Sequence, residues 1–235
     1  MGTVPTYLLE NKRFPVGTVP KFSCIFLEGR RGICRLYQGM PRTARFVIPG
    51  IPHHITQRGN REERVFDSPE DRGEYLRVLR RYSVMYSMEI WAYCLMSNHI
   101  HIIGLALSKF AFARAMGVTQ MVHAQRMNRS RETSGHVWAS RFYSVALSQE
   151  HLWNAVRYVE LNPVRAGLVE RAEDYTWSSA KAHCRGDVDP ILCPQRPFPG
   201  PVSNWGSWLG TGLDQAIENE IRSSTYSSKP NSLFV

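Results

Sequence analysis

Between Glu89 and Leu107 two strand-like runs stand back to back, separated only by Met96-Ser97-Asn98. A connection that short forces them to pair as an antiparallel hairpin, which restricts the fold more than any other local feature of the chain. A further strand reads upstream from Pro52 to Arg58 and ends at the turn Gly59-Asn60, with Phe46-Val47-Ile48 as its expected lead-in. Between that strand and the hairpin, Ser68-Pro69-Glu70-Asp71 has the marks of a helix start: an N-cap serine, proline at the first helical position and acids in the first turn. Tyr75, Leu76, Leu79, Tyr82 and Met85 then recur at helical spacing, up to about Ser87.

After the hairpin, Ala111 to Asn128 has helix-forming composition, with Phe112, Met116, Met121 and Ala124 as the expected buried stripe and a polar turn from Ser130 to Gly135. Val137-Trp138 and then Phe142 to Leu147 read as strand, and Ser148-Gln149-Glu150 opens a helix to about Leu161, stopped by Pro163. The order β-α-β-β-α-β predicts an α+β fold, a ferredoxin-like split β-α-β antiparallel sheet with helices on one face plus an extra C-terminal helix. Residues 1–39 carry recurrent Gly and Pro without a sustained period, so they are expected to be a disordered or mis-started extension, with Met40 as the true start. The domain is expected over residues 40–183. Residues 184–235 read as a Pro/Gly/Ser-rich tail with a short helix at Leu213 to Ile221.

Composition narrows the function classes. The longest apolar run, Ile100 to Leu107, is far short of the roughly 18–20 residues of a membrane span, and the residues after Met1 lack a basic patch and an apolar run, so the expectation is a cytoplasmic chain with no membrane partner. Five cysteines (Cys24, Cys34, Cys94, Cys184, Cys193) without a CxxC pair fit neither a disulfide framework nor a thiolate zinc site. The net charge of +9 favours a polyanionic partner, and arginine supplies 24 of the 29 positive residues, a cation that forks onto phosphate and stacks on bases. Residues 1–39 carry six basic against two acidic residues, so +4 of the charge lies outside the expected domain.

His99 and His101 are separated by Ile100 alone, a spacing that points both imidazoles to one face of a strand. Two neutral imidazoles on one face make a divalent metal site with open positions; the same pair also fits histidines satisfied by backbone or by each other. His53-His54 is the weaker case, since neighbours in a strand face opposite ways. Tyr158 and Asn162 lie four apart on the last helix, at the edge of the apolar stripe Leu152, Ala155, Val156 and Val159, which aims them into a seam between helix and sheet. Packing and helix termination are the ordinary roles of such residues.

Leu95-Met96-Ser97-Asn98 followed by His-Ile-His at 99–101, Gly135-His136-Val137-Trp138, Arg141-Phe142, Arg157-Tyr158-Val159-Glu160-Leu161-Asn162-Pro163-Val164-Arg165-Ala166-Gly167 and Tyr175-Thr176-Trp177-Ser178-Ser179 occur in this order. Together they resemble the REP-associated tyrosine transposases of the single-tyrosine HUH endonuclease superfamily, which also holds small insertion-sequence transposases. The resemblance covers about residues 40–183, with Met40-Pro41-Arg42 similar to the family's opening. Ser227, Ser228, Pro230 and Ser232 depart from the Gly-Arg-Pro-Leu-Gly-like run expected near the C-terminus.

The resemblance implies a metal-dependent transposase and endonuclease that nicks and rejoins single-stranded DNA at hairpin-forming repeats through a 5′-phosphotyrosine, acting at the nucleoid. It makes Tyr158 the nucleophile on the extra helix, His99, His101 and Asn162 the ligands of Mg²⁺ or Mn²⁺, and a homodimer exchanging the tyrosine helix one of two assembly states. An unperturbed phenol titrates near about pH 10, so such a nucleophile needs Lewis-acid help and in-line geometry. Arg58, Arg61, Arg141 and Arg165 are the expected phosphate contacts. Two rivals stand beside this reading: a domesticated DNA-binding protein without strand transfer, and a metal phosphodiesterase using water.

Overall fold

In the computed structural model, residues 47–195, 202 and 204–225 are described, and all belong to one compact unit. The expected extension 1–39, the start at Met40, Phe46 and the serines at 227, 228 and 232 lie outside these residues.

Strand β1 (Pro52–Arg58), helix α1 (Pro69–Met85), the hairpin β2 (Met88–Leu95) and β3 (His99–Ala106), helix α2 (Ala111–Ser130) and strand β4 (Tyr143–Ala146) follow in the order read from the sequence. The sheet runs β2-β3-β1-β4 with every neighbour antiparallel, the topology of a split β-α-β unit. Ser68 accepts from the Asp71 backbone N–H while the Asp71 carboxylate accepts from the Ser68 N–H, a reciprocal cap that sets where α1 begins. At the end of β1, Gly59 is required by space: a Cβ there would stand 2.2 Å from the Glu63 carbonyl oxygen.

Alternation along the strands builds two cores. On one face Ile55, Ile90, Tyr93, Leu95, Ile100 and Ile102 pack with Tyr75 and Leu79 of α1 and Phe112, Ala115 and Met116 of α2. A register shift at Trp91 lets Trp91 and Ala92 both turn to the other face, where Cys94 and Ile103 join them. That second face is covered by α3 (Gln149–Glu160) through Leu152, Ala155, Val156 and Val159, the stripe expected from the sequence. Each of these side chains, fully buried, contributes about 1.5–3 kcal/mol for the larger aliphatics.

Three details differ from the sequence reading. Met121 is exposed, and the buried face of α2 runs instead through Phe112, Met116, Thr119, Gln120, His123 and Met127, which 100° per residue keeps on one side. Trp138 does not extend β4 but makes a single bridge to Gly59. Helix α3 ends at Leu161 as expected, but a further short helix, α4 (Asn162–Arg165), begins at once, with Pro163 tolerated in its first turn.

Residues beyond 183, expected as a tail, belong to the same packing. After α5 (Ala180–Arg185), Ile191 and Leu192 enter the first core, and the Cys193 N–H donates to the Ile90 carbonyl at the outer edge of β2. Leu95 and Tyr93 on that edge bond the Trp177-Ser178-Ser179 segment, so the strand edge is covered. Two more helices, α6 (Trp205–Gly210) and α7 (Gln215–Thr225), bury Leu209 and Ile221, the latter against α3. The helix expected at Leu213 to Ile221 is α7, shifted toward the C-terminus. Cys94 and Cys184 are free thiols, and no described helix is long and apolar enough to cross a membrane.

Candidate active site

The faces of β1 and β3 that turn toward α3 carry the polar residues. His99 and His101 share that face, with ring centroids 4.9 Å apart, as their spacing predicts. The register sets Arg58 beside His99 and Thr56 beside His101. His54 also faces this side, and its Nε2 stands 3.0 Å from Nδ1 of His101. His53 faces the other way, edge-on to Phe112 with its Nδ1 2.8 Å from the Ile51 carbonyl. The adjacent pair is therefore split between the two faces, and alternation alone does not say which member joins the site.

Helix α3 brings Tyr158 down onto these imidazoles: its ring centroid lies 5.7 Å from that of His101 and 6.1 Å from that of His54, both edge-on. Asn162 follows across the α3–α4 break. Its Nδ2 donates to the Tyr158 carbonyl at 3.0 Å, and its Oδ1 accepts from Arg165 Nη2 at 3.0 Å. The Arg165 guanidinium lies 3.9 Å from the Tyr158 ring centroid and pairs with Glu218 of α7 at 3.3 Å. A cleft of about 310 Å³ opens here, lined among others by Arg58, Asn98, His99, His101, Tyr158, Asn162 and Arg165, with Glu218 and Arg222 of α7 on its rim.

Burial sets the charge state of the imidazoles. His54 titrates down at about 3 and His99 at about 4, both chiefly because burial penalises the cation, with Arg58 and Arg165 adding repulsion at His99. His101 is lowered well below its usual value by burial, with His99, His54 and Arg165 adding repulsion. All three are neutral at physiological pH and can offer a lone pair.

Whether a cation fits depends on which atoms are left. The Asn98 amide donates to the Glu62 carbonyl, so its Oδ1 faces His99 Nδ1 at 2.7 Å as an acceptor, which keeps the proton on Nδ1. His101 is engaged through Nδ1 as well, by His54. Nε2 of both rings therefore makes no hydrogen bond among the described residues. Asn162 Oδ1 retains one lone pair beside its bond to Arg165. Among the described residues no three His, Cys, Asp or Glu side chains stand in a metal-holding arrangement. Two imidazoles and an amide oxygen suit a divalent cation that keeps positions for other oxygen ligands.

Of the arginines, Arg58 and Arg165 line the cleft. Arg61 and Arg141 are exposed outside the lining, on segments joined to the end of β1: Asn60 bonds Val137, Ala139 bonds Arg58, and Gln57 reaches the Ser140 carbonyl. Arg61 and Glu62 both have left-handed φ, 51° and 64°, and Glu62 is tied to Arg58 by an ion pair at 2.8 Å. His54 enters the sequence reading only as half of the weaker His53-His54 pair, and Asn98 has no role of its own there; Glu218 and Arg222 are not singled out because they come from a helix more than 50 residues after Tyr158.

Residues 48–162 match the model of the family described as IS200-like transposases. Among solved structures, a REP-associated tyrosine transposase bound to a REP hairpin aligns with TM-score 0.45 and 18% identity over 69% of this chain and 99% of that one. A Deinococcus radiodurans R1 protein described as a transposase aligns with TM-score 0.36 and 16% identity, over 47% and 88%. No curated protein is detectably similar.

Proposed function

We propose that this chain, which carries an IS200-like transposase domain over residues 48–162, nicks and rejoins single-stranded DNA at hairpin-forming repeats with Tyr158 as nucleophile. The observation that carries this reading is the convergence of Tyr158, His99, His101 and Asn162 on one cleft from three separate elements. In the reaction the Tyr158 hydroxyl oxygen attacks a backbone phosphorus and the bond to the 3′ oxygen breaks. A 5′-phosphotyrosine forms, the phenolic proton is released and the departing 3′ oxygen takes one up. The phosphodiester is conserved, so the reverse attack by a 3′-OH rejoins strands without ATP.

His99, His101 and Asn162 would hold Mg²⁺ or Mn²⁺, which when bound supplies Lewis-acid polarisation of the scissile phosphate. The chain's own contribution is positional. Two imidazoles pack edge-on against the Tyr158 ring or beside it, Asn162 is bonded to the Tyr158 carbonyl, and Arg165 covers the ring, so the phenol is held without exposed side-chain freedom. Arg58 and Arg165 are the phosphate contacts within the cleft, and Arg61 and Arg141 extend a basic track past the end of β1.

Trapping the covalent protein–DNA adduct tests this reading against its rivals. An adduct on a hairpin substrate with a flanking single strand, lost in Tyr158→Phe while hairpin binding stays within a few-fold, is expected. Cleavage without an adduct would favour water as nucleophile; binding without cleavage would favour a DNA-binding protein that has lost strand transfer. An adduct at wild-type level in Tyr158→Phe would move the nucleophile, with Tyr143 the next candidate.

A further inference from the structure

The two imidazoles assigned above to the cation are held in the same way through Nδ1, but by different partners. Asn98 holds His99 with an oxygen that can only accept. His101 is held by another imidazole, 3.0 Å away with 18° between ring planes, on the neighbouring strand. A histidine pair has two arrangements, since either ring can be the donor. In one, His54 donates from Nε2 and the His101 proton sits on Nε2, which removes that nitrogen as a ligand. In the other, His101 donates from Nδ1 and its Nε2 lone pair is left for the cleft.

We propose that His54 is a positioning residue: its Nε2 accepts from Nδ1–H of His101, fixing the tautomer and ring plane in which His101 presents Nε2 to the cation. Resting on the proposed cation site, this adds to it the residue that sets one of its ligands. The geometry supports the assignment in three ways. His54 is only 3% exposed, so water does not compete for its ring nitrogen. Its ring lies nearly in the plane of the His101 ring, at 18° with centroids 5.2 Å apart, which is the side-by-side arrangement an in-plane N–H···N bond needs, and Tyr158 packs edge-on against it at 6.1 Å. The opposite tautomer would leave the cleft facing an N–H at His101 and a lone pair at His99, an arrangement that repels a cation at one of its two nitrogen donors.

The test sets two replacements against each other. Gln at position 54 places an amide oxygen where Nε2 stands and removes the ring; Phe keeps the ring and removes the acceptor. Mn²⁺ affinity, read from the free-ion electron paramagnetic resonance signal of the full chain without DNA, is expected to weaken on the order of 10-fold to 100-fold in His54→Phe, while His54→Gln recovers most of the loss. Thermal unfolding of both variants is recorded alongside. Wild-type affinity in both variants, or a loss in His54→Gln with none in His54→Phe, would overturn the proposal, the second because it marks a packing role.

Long-range ¹H–¹⁵N spectra of the labelled wild-type protein read the tautomer directly, whether or not the variants fold. A His101 proton on Nδ1 is expected, and one on Nε2 overturns the inference. Failure of the cation site itself looks different: the wild type would then bind no Mn²⁺, or would bind it unchanged in His99→Ala.

Discussion

The guanidinium of Arg165 lies 3.9 Å from the centroid of the Tyr158 ring. The same group donates to Asn162 Oδ1, so one cation touches both the proposed nucleophile and the amide of the proposed ligand set. A cation over a phenol face attracts the ring and favours any negative charge that develops on it. Arg165→Ala is expected to slow cleavage by about tenfold to a hundredfold, the equivalent of ~1–3 kcal/mol in the barrier. Arg165→Lys restores part of the rate, since an ammonium keeps the charge but loses the planar fork. Single-turnover kinetics on a saturating substrate would show this as a change in the chemical step; a loss confined to DNA affinity would leave Arg165 as a phosphate contact only.

Glu218 pairs with Arg165 from α7 at 3.3 Å, with both side chains about a quarter or less exposed. A carboxylate on the rim of a cleft that takes phosphate both repels the substrate and competes for the guanidinium. Glu218→Gln should therefore bind single-stranded DNA a few-fold more tightly at low salt, with the gain shrinking as salt screens it. Equal affinities of mutant and wild type across a salt series would show that the pair is broken in solution.

Removing a ligand should be graded by ligand strength. His99→Ala or His101→Ala is expected to abolish cleavage nearly completely. Asn162→Ala weakens Mn²⁺ affinity less, because water can replace a neutral amide oxygen. EDTA should stop cleavage by the wild type and Mg²⁺ or Mn²⁺ restore it, while hairpin binding persists through the arginines and falls with salt. A folded and fully active His101→Ala protein would sink the metal reading.

How much of this was legible in the sequence differs by element. The β2–β3 hairpin follows from the short Met96–Asn98 connection, and the starts of α1 and α3 from the caps at Ser68 and Ser148, which are local signals. His99 and His101 were legible because period-2 geometry acts over two residues, and Tyr158 because the α3 stripe places it. His54 was not: alternation says that His53 and His54 diverge, but which one meets His101 depends on the β1–β3 register, set by residues some 47 positions away. Glu218 was hidden for a similar reason, since α7 reaches the cleft through Ile221 packing on α3 rather than through a motif near Tyr158. The supposed tail failed because Pro/Gly/Ser-rich composition between 184 and 204 masked Ile191 and Leu192, two apolar residues sufficient to pin it to the core.

The neutral imidazoles predict how stability should follow pH. His54 and His99 have folded pKa values of about 3 and about 4, against 6.5 for an unperturbed histidine, and His53, His101 and His123 are also lowered by burial. Between those limits the unfolded chain binds more protons than the folded one, so stability is fully present above about pH 6.5 and falls as pH drops toward 4. Asp67 and Asp71 act in the same direction but later. Hydrogen bonds from Arg131 and from the backbone of Asp67 and Ser68 hold them below their usual range, so their contribution is lost only as pH passes below 3.8. The melting temperature measured in EDTA is expected to decline from near pH 6.5, ahead of any carboxylate. With Mn²⁺ present, the added stability should persist as pH falls to about 4 and be lost only below it, because the folded imidazole of His99 stays neutral down to there and only a protonated imidazole cannot bind a cation. A melting temperature that stays level down to pH 4.5 would mean that these histidines are protonated in the folded protein, and the site would then not offer two neutral nitrogen donors.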